Sequence, residues 1–159
     1  MSPHIDLADA FERIAAIERI AVPETKATRS YLNANLSVYP HWLNFLGSVT
    51  TPVPDSGTEL VKIEFTIRMR LIVGKMTEGY DGEIEGRLVE WIPATIEAFR
   101  ARTQLQSSSF PRPPDDLDPR GIELRTIRGL AAFQDTTALY VGTEFDLIVP
   151  FIRRIDPVN

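Results

Sequence analysis

The sequence predicts an α+β fold: an antiparallel or mixed sheet of about four strands flanked by two main helices, with a long proline-rich loop. Three observations carry this. Residues 61–73 alternate apolar and polar side chains at period two, the mark of a strand with one packed and one polar face. Two stretches, 7–21 and 79–104, repeat apolar residues at three- and four-residue spacing, the mark of helices docked by one stripe. The order helix, strand, strand, helix, strand, strand puts a hairpin on either side of the second helix, which suits helices packed on a sheet.

The chain has 159 residues, 43% hydrophobic and 25% charged, the make-up of one globular domain over residues 1–159. It contains no cysteine, which excludes disulfides, thiolate chemistry and Cys-based metal sites. The opening Met1-Ser2-Pro3-His4-Ile5-Asp6-Leu7 lacks the basic and apolar regions of a signal peptide, and no apolar run is long enough to span a bilayer. The formal net charge of −5 argues against a dedicated nucleic-acid binder, because affinity for phosphate comes from Lys and Arg.

The first helix opens at Asp6, a capping residue, and carries Leu7, Phe11, Ile14, Ala15, Ile17 and Ala21 on its apolar stripe. Glu12, Arg13, Glu18 and Arg19 fill its remaining surface, and Pro23 ends it. Residues 22–40 show no clean period. His41–Leu46 reads as a short aromatic strand, and Gly47–Gly57, with Pro52, Pro54, Asp55 and Ser56, as a turn. In the long strand that follows, Val61, Ile63, Phe65, Ile67, Met69, Leu71 and Val73 share one face and Lys62, Glu64, Thr66, Arg68 and Arg70 the other, with Gly74 as its stop.

The second helix takes Asp81 as its cap and Ile84, Leu88, Trp91, Ile92, Ile96 and Phe99 as its stripe; Pro93 predicts a kink or restart within it. Ser107–Arg120 contains Pro111, Pro113, Pro114 and Pro119, which forbid regular structure and predict a stiff, extended loop, 105–120 projecting from the domain. Two strands close the chain. Ile122–Phe133 loses its alternation near Thr126–Ile127, which predicts a bulge. Leu139, Val141, Phe145, Leu147, Val149 and Phe151 share a face opposite Tyr140, Glu144 and Asp146, and Pro150 predicts an edge strand or its end.

No chemistry-bearing motif emerges. His4 and His41 are the two histidines, without metal-ligand spacing. Asp115, Asp116 and Asp118 lack the glycine and closing glutamate of a calcium loop and read as solvated. Ser107, Ser108 and Ser109 have no strand-turn-helix elbow around them, and Gly79, Gly82 and Gly86 form no phosphate-binding pattern. Glu64, or Glu144 with Asp146, stay open as an acid–base pair, although charges are expected on a polar sheet face in any case. The chain is therefore read as a non-enzyme with no catalytic residue, metal ligand or cofactor. If the strands bearing Arg68 and Arg70 and Arg125 and Arg128 were neighbours, they would form a basic stripe offset by Glu64, Glu123, Glu144 and Asp146, a mixture that suits a protein contact.

The helix Leu7–Ala21, the segment Trp42-Leu43-Asn44-Phe45, the strand Val61–Leu71, the long helix with Trp91 and the ending Val141-Gly142-Thr143-Glu144-Phe145-Asp146-Leu147-Ile148-Val149-Pro150-Phe151 together resemble small neck proteins of tailed bacteriophages, most of all tail terminator proteins. The resemblance implies a structural virion protein with an α+β fold and a ring, usually a hexamer, that stops tail-tube polymerisation and joins tail to head. Its partners would be copies of itself, the tail-tube protein and neck or connector proteins. DNA would pass through an acidic lumen without specific binding, no membrane would be involved, and the protein would reside in the virion neck after assembly in the host cytoplasm. Two other readings stay open: another neck protein, for head closure or tail completion, or a small ligand-binding or enzymatic α+β domain.

A ring needs heterologous contacts, one patch meeting a different patch on the next subunit. The residues assigned to such contacts are Tyr31 in segment 22–40, Phe110, Arg112, Asp115 and Asp116 in the proline-rich loop, and Arg153 and Arg154 near the C-terminus. Phe110, an aromatic in a polar loop, either anchors a partner or folds back on its own domain.

Overall fold

A computed structural model of the chain describes residues 5–29, 38–51, 60–75, 82–134 and 138–154. Two helices lie against one face of a mixed five-stranded sheet, an α+β arrangement. In chain order the elements are α1 (Leu7–Ala21), β1 (Ala27–Arg29), β2 (His41–Thr50), β3 (Leu60–Lys75), α2 (Gly82–Arg100), β4 (Glu123–Gln134) and β5 (Leu139–Arg154). The strands run β1-β2-β3-β5-β4 across the sheet. Only the β1–β2 pair is parallel among them. The fifth strand, beyond the four expected, is β1, whose three residues are too few to show a period.

The main core lies between helices and sheet. Ile14 and Ile17 of α1 and Trp91 and Phe99 of α2 meet Trp42, Ile67, Met69, Leu71, Phe145, Leu147, Val149 and Phe151 from the strands. The alternation of β3 and β5 fixes this: their odd-numbered residues face the helices, and register partners such as Met69↔Phe145 and Ile67↔Leu147 stack directly. A smaller cluster of Leu43, Ile72, Phe133 and Tyr140 closes part of the opposite face, which is thus less polar than the alternation implied.

Asp6 caps α1 by accepting a hydrogen bond from the Asp9 N–H at 3.0 Å, as its sequence position predicts. Glu18, expected on the helix surface, is fully buried instead. The second helix is shorter than 79–104: α2 ends at Arg100 and residues 101–104 form a turn, while Asp81 lies outside the described residues. No break occurs at Pro93. Its missing N–H leaves the carbonyl of Val89 without an intrahelical donor, and Val89 is exposed, so water can take that place.

Two strands run past the glycines expected to end them. β2 continues past Gly47 to Thr50 because Ser48, Val49 and Thr50 pair with Thr66, Phe65 and Glu64, and a bulge between Leu46 and Ser48 absorbs the glycine. β3 passes Gly74 through a bulge of its own. β4 carries the expected bulge, between Leu124 and Thr126, and a second between Arg128 and Ala131.

Pro150 corrects the expectation of an edge strand, for β5 lies inside the sheet between β3 and β4. The ring is tolerated because regular pairing with β4 stops at Ile148, opposite Glu123. In an antiparallel strand a residue's N–H and C=O point the same way. The Pro150 carbonyl accepts from the Asp118 N–H at 2.9 Å, on the side that β4 has left, so the missing N–H costs no bond to β3.

Gly142 sets how closely β5 approaches β3. A Cβ there would overlap the Leu71 carbonyl oxygen and lie 2.8 Å from the Leu71 carbonyl carbon. Gly121, at φ +81°, turns the chain into β4 against the Thr103 carbonyl, which accepts from the Ile122 N–H at 2.8 Å.

Candidate interaction surfaces

The proline-rich loop does not project. Leu117 bridges Phe151, the Asp118 N–H donates to Pro150, and the Ile152 N–H donates to the Asp116 carbonyl at 2.8 Å, so the loop extends the edge of β5 where β4 ends. Pro114 is buried. The prolines thus lie in a segment laid down on the sheet. Within the loop the buried Asp118 carboxylate accepts from the Arg120 N–H at 2.9 Å and from its guanidinium at 2.8 Å. Arg120 thereby holds the Asp118 carboxyl below the usual carboxylate range. Asp118 is therefore not the solvated residue its sequence context suggested.

The other end of the loop is tied to α1 by Arg13. Its guanidinium donates to the Leu105 carbonyl at 3.3 Å and to the Arg112 carbonyl, pairs with Asp9 at 2.7 Å, and stacks 4.9 Å from the Phe110 ring. Phe110 is half-buried there, on its own domain. Arg112, Asp115 and Asp116 come together with Asp6, Asp9 and Arg13 around a cleft at the start of α1. Four of the assigned contact residues thus lie in one corner of the fold. Arg153 lies opposite Val61 at the end of the β3–β5 pair, next to Ile152, whose N–H binds the Asp116 carbonyl. Arg154 ends β5, and Tyr31 lies outside the described residues.

A charged and aromatic layer covers the open face of the sheet. Here β5 separates β3 from β4, so the arginines form no continuous stripe. Glu144, nearly buried, lies 2.6 Å from Arg70, 3.8 Å from Arg68 and 3.6 Å from Arg128. Asp146 accepts from Arg68 at 3.1 Å, and this bond first of all raises the Arg68 pKa above its ordinary value. The Arg70 guanidinium lies between two rings, 4.8 Å from Phe45 and 4.6 Å from Phe133. Glu144 and Asp146, which the sequence offered as an acid–base pair, are therefore each taken by an arginine. The cross-strand register creates this layer, and the sequence alone does not reveal it.

Uncovered apolar surface occurs at both edges. Leu46 and Val49 on β2 expose 43% and 49% of their surface. Their partners Ile67 and Phe65 place them on the helix side of the sheet, next to half-buried Val61 and Ile63. At the opposite edge Ile127 and Leu130 on β4 expose 42% and 49%, in the stretch between and within its two bulges. Among the described residues no group of three or more His, Asp or Glu is gathered as a metal ion requires, and no helix is long and apolar enough to cross a membrane.

Compared with known proteins, the chain matches no family model and no curated protein.

Proposed function

We propose that the chain is a structural subunit of a tailed bacteriophage neck, a tail terminator that assembles into a ring, caps the tail tube and joins it to the head. One observation carries this reading. The sheet exposes two different pairs of apolar side chains, Leu46 and Val49 on β2 beyond its pairing with β1 and Ile127 and Leu130 on the outer strand β4. A closed ring repeats one heterologous contact, and that contact needs two different patches on each subunit, set apart across the body.

The α+β architecture and the sequence resemblance support the same reading. So does the fate of the charged side chains, since Glu144, Asp146 and Asp118 each neutralise an arginine. In this role the chain performs no catalytic step and needs no cofactor. Its partners are further copies of itself, six in the ring that the resemblance implies, the tail-tube protein and the neighbouring neck proteins. The net charge of −5 suits a channel through which DNA moves without adhering.

The test is the mass of the purified chain in solution over a wide concentration range, with electron microscopy of the same samples, for the wild type, Val49→Glu and Leu130→Glu. Closed rings of uniform subunit number are expected from the wild type, and smaller species from both variants with unchanged circular dichroism. A chain that stays monomeric at every concentration, with variants indistinguishable from it, overturns the reading. Stabilisation of that monomer by a small molecule then points to the ligand-binding alternative.

A further inference from the structure

The polar contact between α1 and β2 is made by two side chains with almost no exposure, Glu18 and Asn44. The Asn44 amide donates from Nδ2 to Glu18 Oε1 at 2.6 Å. The other atom of each group, Glu18 Oε2 and Asn44 Oδ1, is also buried and has no hydrogen-bond partner among the described residues. With Glu18 ionised both of these atoms are acceptors, so neither can serve the other. Buried acceptors left in this state are costly. A single proton on Glu18 removes the buried charge and turns one of these acceptors into a donor.

We propose that Glu18 is carried in the folded chain as the neutral acid and that, with Asn44, it forms a proton-dependent latch holding α1 on the sheet. The surroundings favour this. Trp42 and Leu46 flank Asn44 on its own face of β2, and its register partner on β3 is Met69, so no titratable group faces the pair from either strand; on α2, which also packs against α1, the charged residues Glu83, Glu85, Arg87, Glu90, Glu97 and Arg100 are all exposed. His41 belongs to the opposite face of β2, with Leu43. The one charge acting on Glu18 among the described residues is Arg19 on its own helix, whose guanidinium donates to the Thr25 carbonyl at 3.4 Å. Burial therefore prevails over both Arg19 and the Asn44 bond and pushes the Glu18 carboxyl well above the usual range.

The latch reaches beyond one contact. α1 also carries Arg13, which holds the loop through the Leu105 and Arg112 carbonyls and the Phe110 ring. Ionising Glu18 places an uncompensated charge under α1, so loosening of α1 releases the loop as well. Proton binding at Glu18 is thereby coupled to the seating of residues 105–112.

Because the folded state holds this proton more tightly than the unfolded state, the contribution is complete below the unfolded pKa. It is lost as pH rises toward the folded pKa. The experiment compares urea unfolding of the full chain and of Glu18→Gln across the acid to mildly alkaline range, with limited proteolysis of the same samples. Glutamine supplies the amide donor permanently. The folding constant of the wild type is expected to fall, relative to Glu18→Gln, by up to about tenfold per pH unit above the unfolded pKa. Cleavage within 105–120 is expected to rise with pH in the wild type alone. Equal pH slopes in the two chains overturn the proposal. If Glu18→Gln does not fold, the ¹³C signal of the Glu18 carboxyl in the wild type decides: titration well above the usual carboxylate range upholds the latch, and titration within it refutes the latch.

Discussion

Arg70 and Glu144 meet across the β3–β5 ladder as register partners, with Arg70 Nε 2.6 Å from Glu144 Oε2. The carboxylate is nearly buried, while the guanidinium is also clasped between the rings of Phe45 and Phe133. One side chain thus joins four neighbouring strands, β2 through Phe45, β3 through its own backbone, β5 through Glu144 and β4 through Phe133.

Removing Arg70 takes from nearly buried Glu144 its closest partner, leaving Arg68 and Arg128 at 3.8 and 3.6 Å, and also empties the space between the two rings. Arg70→Ala is therefore expected to destabilise the chain by about 3 kcal/mol, read from urea unfolding. Lysine cannot reproduce a flat group stacked between two rings, so Arg70→Lys should recover less than half of the loss. Full recovery by lysine would mean that the charge alone matters and the stacking does not.

Gly142 and Gly86 make an opposed pair. A methyl group at 142 runs into the Leu71 backbone, which cannot move without breaking the β3–β5 ladder, so Gly142→Ala should cost about 3 kcal/mol. At Gly86 on α2 a Cβ meets nothing within 4 Å. Gly86→Ala should stabilise the chain by about 0.5–1 kcal/mol, because alanine loses less backbone freedom on entering a helix. Thermal unfolding of the two variants checks both signs at once.

The sequence makes the elements legible where apolar periodicity runs long. The alternation of Val61–Val73 locates β3, and the segment from Leu7 to Ala21 coincides with the bounds of α1. It misleads where pairing overrides a local signal. Gly47 and Gly74 read as stops, yet both are absorbed as bulges because the neighbouring strand continues. Pro150 reads as an edge, yet its N–H is missing only on the side that β4 has vacated. Glu18 reads as a surface residue because its partner, Asn44, is remote in sequence. The loop illustrates both limits: its prolines announce stiffness, but nothing local announces that Arg13, in α1, anchors it.

Arg13→Ala removes two carbonyl contacts and the ring contact that hold residues 105–112 against α1. Loops held by few contacts open first. Limited proteolysis of the variant should cut within 105–120 much faster than in the wild type, while the far-ultraviolet circular dichroism stays the same. Cleavage at the wild-type rate would show that the β5-side contacts of Leu117 and Asp118 suffice to seat the loop.

Asp118 titrates against Glu18 in sign. Arg120 lowers the Asp118 carboxyl, so the unfolded state binds the proton more readily than the folded one. The stability this contributes is present above the unfolded pKa and is lost as pH falls through the folded value. Asp118→Asn keeps the shape but not the charge. It should therefore lower the neutral-pH urea midpoint and flatten the acid limb of the stability curve, whereas Glu18→Gln flattens the opposite limb. The two carboxyls act on one loop from its two ends, Asp118 directly on β5 and Glu18 through α1 and Arg13, so the double variant should depart from the sum of the two effects. A strictly additive double variant would mean that the two contacts do not communicate through the loop and that the reach of Glu18 ends at α1.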